Sequence, residues 1–380
     1  MDHFSVPQIE MQTFSESAPR LVAYLLAALA LSMAAGCTTP KEAEEEKITL
    51  FWPSPPDQPR FAYETALRSS LDVKEKEDKE KTVLEKLETV ATASDETSKL
   101  ETVKPFDVAA RKGKIIVSDT ALNVVFLFDV PRRSLFVFGS RGKGRLENPL
   151  GVAIDDETNY YVTDAGARHV MVFDSDGHFK RKIGGPADLV RPTDVAVSPD
   201  GGRVYVVDAG GVASMSHQVV MYDKDGEKVG IVGGRGVEEG KFNLPTHATV
   251  GADGTLYVLD TGNFRVQAFD KDGKFLRAWG SAGSGYGSFA RPRGIGVDMD
   301  GNVYVTDAAF RNFQIFDKEG HLLMFIGGKG RSDKPGVYLL LAGIAVDETN
   351  RVYIVDQYFK KVEVIKRLTD EEGRNLPKKK

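Results

Sequence analysis

Short apolar runs separated by turn residues follow one another along most of the chain, and within each run apolar and polar positions alternate with a period of two. This alternation is typical of half-buried β-strands and does not fit helices. From residue 106 onward the runs form one unit that recurs six times. In each unit one strand ends in an aspartate: Asp119, Asp164, Asp208, Asp260, Asp307 and Asp356. The intervals of 44 to 52 residues between them match the size of a four-stranded propeller blade.

The repeat at residues 292–327 shows the pattern most clearly. Its first half contains two alternating strands around a turn at Asp300 and Gly301, and its second half contains two more around Glu319 and Gly320. Such turns are typical of hairpins, because glycine adopts a positive φ at no steric cost. The sequence therefore predicts an all-β fold, a six-bladed β-propeller.

Residues 244–260 and 261–280 resemble NHL repeats, and the resemblance extends over residues 106–366. It implies a propeller of the NHL type. Residues 48–64 are similar to the segment that precedes the repeats in bacterial NHL lipoproteins, some of which accompany multihaem cytochromes of anaerobic respiration. By this resemblance we expect a periplasm-facing module that is accessory to an extracytoplasmic respiratory or cytochrome complex.

The ends of the repeat region predict how the ring closes. The propeller repeats occupy residues 104–367, but the sixth has only three recognisable strands. An unpaired strand edge promotes aggregation, so another segment should cover it. The lead-in at residues 48–72 contains Phe61 and Tyr63 in a strand-like pattern. We expect this strand to pair with the last blade.

Two polar segments adjoin this framework. Residues 73–103 are rich in Lys and Glu at helical spacing and predict a short charged helical insertion, with a flexible loop as the alternative. Residues 368–380 are polar and lack a strand pattern. We expect them to form a disordered tail.

The N-terminal region resembles a lipoprotein leader. An uncharged apolar run at residues 21–35 has the length of a signal-peptide core and is too short to span a bilayer comfortably. We predict a lipoprotein signal peptide at residues 1–36, lipidation at Cys37 and a polar tether at residues 37–47. Thr38 resembles the pattern that sorts lipoproteins to the bacterial outer membrane, where this protein would face the periplasm.

Cys37 is the only cysteine of the chain, so an intramolecular disulfide, a Cys-rich metal site and covalent c-type haem are excluded. The segment before the apolar run is unusual for an export signal, because its acidic residues outnumber its one basic residue, Arg20. The start codon is therefore Met1 or Met11, and the sequence leaves both open.

Charge and motifs exclude several functions. The net charge is −5 and the repeats contain no basic block, so the chain has no electrostatic basis for binding nucleic acid. It contains no Ser-His-Asp order, phosphate-binding glycine loop or zinc-protease motif. We expect a monomeric propeller with a protein or membrane complex as its partner, and we predict no cofactor.

Six copies of one unit serve as internal controls, because a single ligand does not need six equivalent residues. The strand-ending aspartates are therefore predicted to be structural and to accept hydrogen bonds from backbone N–H groups of the following loop. Departures from the repeat carry more information. At the first position of the innermost strand three repeats have glycine, whereas the others have Asp107, Asp194 and His247. We expect these polar residues near the channel mouth, where they bond to backbone and water or hold a calcium or zinc ion.

The channel residues raise the alternative of an enzyme. Some six-bladed relatives, the amidating lyases and the gluconolactonase-like hydrolases, use a metal in the channel. The alternative function is therefore a metal-dependent lyase or lactonase. His247 is the only histidine at this ring, whereas the zinc site of the lyases resembles a cluster of three histidines. A binding function is therefore favoured over an enzymatic one, and no catalytic residue is predicted.

The loops after the strand-ending aspartates suggest a partner surface. In the last three blades an aromatic residue is followed by a cation: Phe264-Arg265, Phe310-Arg311 and Phe359-Lys360. These loops should share one face, and aromatic and arginine side chains are typical of interface hot spots. We expect the pairs to form an arc that binds a partner. In the alternative, each ring packs beneath a neighbouring loop and each cation caps backbone carbonyls.

Overall fold

The computed structural model describes residues 50–54, 56–73 and 100–376. The predicted leader, Cys37 and the tether lie outside the described residues, as do residues 74–99 of the predicted insertion. No helix in the described ranges is long and apolar enough to cross a bilayer. The described part of the chain is almost entirely β-structure, which confirms the all-β prediction.

Two strands precede the repeats, β1 (Phe51–Trp52) and β2 (Phe61–Leu67). Each of the first five repeats then forms a separate antiparallel sheet of four strands. Blade one contains β3 (Pro105–Arg111), β4 (Lys114–Asp119), β5 (Val124–Asp129) and β6 (Ser134–Phe138). Blade two contains β7 (Pro149–Ile154), β8 (Tyr160–Asp164), β9 (His169–Phe173) and β10 (Phe179–Ile183). Blade three contains β11 (Pro192–Val197), β12 (Arg203–Asp208), β13 (Gln218–Asp223) and β14 (Lys228–Gly233).

The remaining blades complete the ring. Blade four contains β15 (His247–Val250), β16 (Leu256–Asp260), β17 (Arg265–Phe269) and β18 (Phe275–Trp279). Blade five contains β19 (Pro292–Val297), β20 (Val303–Asp307), β21 (Asn312–Phe316) and β22 (Leu322–Ile326). A short parallel pair, β23 (Gly328–Lys329) and β24 (Val337–Tyr338), lies in the next connection. Blade six contains β25 (Leu341–Val346), β26 (Arg351–Asp356) and β27 (Lys361–Arg367). The innermost strands contact one another in ring order, and β25 contacts β3.

The lead-in strand closes the ring, as predicted. β2 pairs antiparallel with β27, with Phe61 opposite Arg367 and Tyr63 opposite Ile365. β1 extends the same sheet, which has the order β1-β2-β27-β26-β25. The two ends of the folded region therefore share blade six, and hydrogen bonds join residues more than 280 positions apart, as between Arg351 and Glu64.

Neighbouring blades pack face to face, and their facing side chains form the core. Between blades one and two, for example, Ile116 and Leu127 pack with Val152 and Tyr160. An apolar cluster of this kind fills each of the six interfaces. Burying each such side chain contributes about 1.5–3 kcal/mol. The outermost strands alternate between packed and solvent-facing positions, as the period of two predicted.

Short helices occur outside the sheets. Within the described ranges, three single 3₁₀ turns span Ser70–Asp72, Gly142–Gly144 and Thr261–Asn263. An α-helix, α1 (Asp370–Asn375), follows the last strand. Its first turn is capped because the Thr369 side chain accepts from the Glu372 N–H while the Glu372 carboxylate accepts from the Thr369 N–H. The expectation of a disordered tail is therefore corrected for residues 368–376, since this reciprocal cap satisfies the first amides of the helix.

Ring closure makes a testable prediction about stability. Phe61 is buried and packs edge-on against Tyr304 of blade five, with 6.4 Å between the ring centres. We expect Phe61→Ala to lower the free energy of unfolding by about 3–5 kcal/mol, because it leaves a cavity between the closing strand and blade five. Phe136, on the outermost strand of blade one, is 43% exposed, so Phe136→Ala is the matched control and should cost much less. Urea denaturation measures both, and equal losses would contradict the closure argument.

Candidate functional site

The six strand-ending aspartates are fully buried and organise the loops at one end of every blade. Asp307 shows the arrangement. Its carboxylate accepts from the N–H groups of Ala309 and Phe310 in the following loop, at 2.9 and 3.1 Å. It also accepts from the N–H groups of Ala290 and Arg291, just before the innermost strand, at 2.8 and 2.9 Å. Five of the six aspartates accept backbone N–H groups from both loops, which confirms the predicted structural role and extends it to a second loop. Asp260 accepts from the Asn243 N–H of the preceding connection but contacts its following loop through the side chain of Asn263.

This bonding shows which loops share a face. The loops between the second and third strands and the connections from one blade to the next meet at these aspartates, and we call their side of the ring the loop face. The turns between the first and second strands and between the third and fourth lie at the other ends of the strands. We call that side the turn face.

A central channel of about 450 Å³ runs between the innermost strands. Small side chains, such as Ala109, Ala153 and Ala196, line its wall. It extends from Asp107, Asp194 and His247 to the turn face, where Arg111, Asp156, Met299 and Glu348 line it. The three polar residues predicted from the sequence therefore do lie together, at the inner end of the channel.

That inner end is covered on the loop face. The ring of Phe106 in blade one stacks on the imidazole of His247 in blade four, at 5.9 Å between ring centres and with 24° between the planes. Blades one and four stand opposite each other in a ring of six, so this contact crosses the channel. The sequence predicted these polar residues near the channel mouth, and the structure shows that they are buried at a covered end of the channel.

The two carboxyl groups bridge neighbouring blades. Asp107 Oδ2 accepts from the Val152 N–H of blade two at 2.9 Å, and Asp194 Oδ2 accepts from the Ala248 N–H of blade four at 2.8 Å. The Oδ1 atoms point the other way and occupy the space that a Cβ atom would need at Gly343 and Gly151, respectively. Glycine in the ring is therefore required by the aspartates next to it.

Burial controls the protonation of this cluster. Desolvation raises the pKa of Asp107 to about 7 and raises the pKa of Asp194 well above its usual value, and the repulsion from Asp107 adds to the rise at Asp194. Near neutral pH the pair therefore carries fewer than two negative charges. Desolvation, together with the charge of Arg293, lowers the pKa of His247 to about 3, so its imidazole is neutral.

Some polar atoms at this end of the channel lack partners. Asp194 Oδ1 and both ring nitrogens of His247 have no hydrogen-bond partner among the described residues. Asp194 is 3% exposed and His247 is 6% exposed. No group of three or more His, Cys, Asp or Glu side chains in the described ranges is arranged to hold a metal ion. The three residues thus share one end of the channel without forming such a group.

The predicted arc of aromatic and cationic pairs has a register error. The third strand begins five residues after the aspartate in blades four, five and six. The position before it has a left-handed backbone, with φ of 55° at Phe264, 59° at Arg311 and 52° at Lys360. Phe264 therefore corresponds to the two cations, not to Phe310 and Phe359. The prediction matched Arg265 with Arg311 and Lys360 by residue type. In the structure Arg265 lies one position further along its blade than these two cations do.

The residues of the predicted arc are also less available for binding a partner than expected. Arg265 bonds Asp260 at 2.8 Å and donates to the carbonyls of Glu238 and Lys241 at 2.7 and 2.9 Å, so the alternative of a capping cation holds there. Phe264 packs against the core between blades four and five. The rings of Phe310 and Phe359 are half-buried, whereas Lys360 is exposed.

Sequence reasoning missed the most exposed aromatic residues of the loop face. Tyr286 is 83% exposed in the connection between blades four and five, and Tyr358 is 60% exposed in the loop of blade six. A signal for Tyr286 was present, because it is an aromatic residue between two glycines, Gly285 and Gly287. Its ring stacks on Phe325 of blade five, at 5.5 Å between ring centres, and its other face is open to solvent. Tyr358 directly precedes Phe359, which the arc prediction selected instead.

Comparison with known proteins supports the repeat type. The family model described as NHL repeat matches residues 242–269, within blade four and the connection before it. Protein brain tumor of Drosophila melanogaster is 29% identical over 135 residues, which cover 34% of this chain and 12% of that protein. E3 ubiquitin-protein ligase NHLRC1 of Homo sapiens is 33% identical over 101 residues, 26% of this chain and 25% of that protein. The alignments span a quarter or less of these relatives.

Solved structures show the same architecture. A gluconolactonase from Xanthomonas campestris superposes with a TM-score of 0.52 at 20% identity, covering 70% of this chain and 87% of that chain. Hydrazine synthase of Kuenenia stuttgartiensis superposes with a TM-score of 0.51 at 14% identity, covering 72% and 86%. At these identities the likeness concerns the fold alone. The chain is a six-bladed β-propeller that contains an NHL repeat.

The buried carboxyl pair predicts a pH effect on stability. Because the folded-state pKa values are raised, the pair contributes stability that is present below about pH 4 and lost as the pH rises through about 7. We expect Asp194→Asn to gain stability relative to the wild type between pH 4 and pH 8. His247 titrates in both proteins, so its opposite effect cancels in the difference.

Chemical denaturation at several pH values measures this difference. The exposed Asp253, in a turn on the turn face, provides the control Asp253→Asn, which should follow the wild type across the range. A difference between wild type and Asp194→Asn that stays constant with pH would show that the carboxyl pair does not titrate in this range.

Proposed function

We propose that the protein is a binding propeller that docks onto another protein through its loop face. The distribution of exposed large apolar side chains carries this proposal. On the loop face lie Leu71, Leu100, Val103, Leu122, Val190, Val212, Met215, Val237, Tyr286 and Tyr358. On the turn face, among the described residues, Val130 and Met299 are comparably exposed. Exposed apolar surface concentrated on one side of a folded domain is typical of an interaction site.

Charge around the axis indicates the chemistry of the partner. Lys104, Arg191 and Arg291 are exposed beside Phe106 and its equivalents, and Arg293 is half-buried next to His247. None of these four side chains forms a salt bridge with a residue in the described ranges. Unpaired cations within an apolar face favour an acidic partner surface, because complementary charge steers association and fixes orientation.

The same proposal includes the cellular location of the protein and the kind of complex that it binds. A lipid on Cys37 would hold the propeller at the outer membrane, facing the periplasm. The resemblance of residues 48–64 to the lead-in of cytochrome-associated lipoproteins suggests a respiratory or cytochrome complex as the partner. A metal-dependent lyase or lactonase at the channel remains the second hypothesis, but no contact in the described residues favours it, and fold likeness alone does not assign an activity.

A variant of the loop face tests the docking surface. Changing Val237, Tyr286 and Tyr358 together to Ser should reduce capture of a partner from envelope extracts severalfold without lowering the melting temperature, because all three side chains are largely exposed. The matched control changes Phe136, Leu276 and Leu323, which are exposed on outermost strands, to Ser. Equal capture by both variants would place the docking surface elsewhere.

A second prediction concerns the anchor. We expect Cys37→Ser to move the protein from the membrane fraction to the soluble fraction, since lipid chains supply the membrane affinity. Mass spectrometry of the wild-type N-terminus should find Cys37 as the first residue, carrying more than one acyl chain. An unmodified Cys37, or unchanged membrane association of the variant, would refute the anchor without affecting the docking surface.

A further inference from the structure

The inner end of the channel is built like a site for a small polar group. Asp194 Oδ1 and both nitrogens of His247 are buried, unpartnered among the described residues and adjacent to the channel. A buried polar atom without a hydrogen bond costs about 1–3 kcal/mol, so a ligand that satisfies these atoms gains that energy. The Phe106 ring covers this end on the loop face. A ligand would therefore enter from the turn face.

The lining of the channel favours a cation. Besides Asp107 and Asp194, the acidic residues Asp156, Asp298, Asp347 and Glu348 border it, and Arg111 is its one basic residue among those described. Arg111 is already bound to Asp156 at 2.6 Å, and Asp298 is paired with Arg367 at 2.7 Å. Arg293 lies near His247 but outside the lining, so Asp347 and Glu348 add unbalanced negative charge to the carboxyl pair. A narrow cavity bordered by one sign of charge focuses the potential and concentrates ions of the opposite sign.

The arrangement of acceptors favours an ammonium group over a metal ion. Asp107 Oδ2 and Asp194 Oδ2 already accept backbone N–H groups, so each carboxyl group has one oxygen engaged in holding a neighbouring blade. No three His, Cys, Asp or Glu side chains in the described ranges form a metal-binding group. An ammonium has three N–H donors and needs single, separated acceptors, such as Asp194 Oδ1 and the unprotonated nitrogen of His247.

We propose that the channel binds the primary ammonium group of an alkylamine, with the ammonium at the inner end of the channel donating to Asp194 Oδ1 and His247 and the alkyl chain along the small apolar side chains of the wall. The methylene groups would contact Ala109, Ala153 and Ala196. The amine is either a free small molecule or a lysine side chain of a peptide, which present the same chemistry. This site is reached from the turn face and is independent of docking through the loop face.

Calorimetry with the full-length protein tests the site. We expect saturable binding of n-butylammonium at pH 8, with tetramethylammonium, which has no N–H donor, at least about tenfold weaker because it cannot make the charged hydrogen bonds. Asp194→Asn should weaken n-butylammonium binding by about tenfold or more. The control Asp200→Asn, which alters an exposed turn-face carboxylate outside the channel lining, should bind as the wild type does.

Further measurements identify the source of the amine and provide a second test of the site. Tighter binding of Nα-acetyl-lysine amide than of n-butylammonium would assign the site to a peptide side chain, and the reverse order to a free amine. If Asp194→Asn does not fold, NMR of the wild-type protein tests the site instead. Magnetisation transfer from the methylene groups of n-butylammonium to the methyl groups of the channel alanines would show that the ligand lies in the channel. The proposal is overturned by absent binding, by equal binding of tetramethylammonium, or by calcium or zinc binding that n-butylammonium cannot displace.

Discussion

A buried aspartate at the end of the second strand is the interaction on which each blade depends. Moving a carboxylate out of water is costly unless hydrogen bonds replace its hydration. At Asp307, for example, four backbone N–H groups supply them, two from each of the loops that meet there. The loop ends are thereby fixed while the residues between them remain free to differ. Blade three shows this freedom, since it places a longer loop after Asp208 without loss of the sheet.

A second constraint is crowding at the axis, where six innermost strands converge. A side chain at the ring must find space between two neighbouring strands. Asp107 and Asp194 do so only because Gly343 and Gly151 leave room for their Oδ1 atoms. Polar chemistry in the channel is therefore confined to a few positions. The molecule offers two separate surfaces, a variable loop face with apolar and basic residues and a narrow acidic channel open on the turn face.

The sequence alone was sufficient to predict the features that repeat from blade to blade. Strand alternation, the blade period, the aspartate role and closure by the strand at Phe61 all follow from local patterns. The sequence also selected Asp107, Asp194 and His247 as departures from the repeat. It could not show the stacking of Phe106 on His247, because that contact joins opposite blades. The arc failed at Phe264 because matching by residue type ignored the spacing: Phe264 lies four residues after its aspartate, whereas Phe310 and Phe359 lie three after theirs. The left-handed φ shows the same offset.

The cover over the channel is thin, and this links the two surfaces. Only two residues separate Lys104 on the loop face from Asp107 at the channel end, and one of them, Phe106, forms the contact across the ring. Desolvation lowers the pKa of His247, and the charge of the neighbouring Arg293 lowers it further. An acidic group bound to Arg293 would offset that charge, but desolvation, the larger cause of the lowered pKa, would still hold the imidazole neutral near neutral pH. Loop-face docking and channel occupancy therefore share a boundary at Phe106 and His247 without depending on each other through the protonation of this histidine.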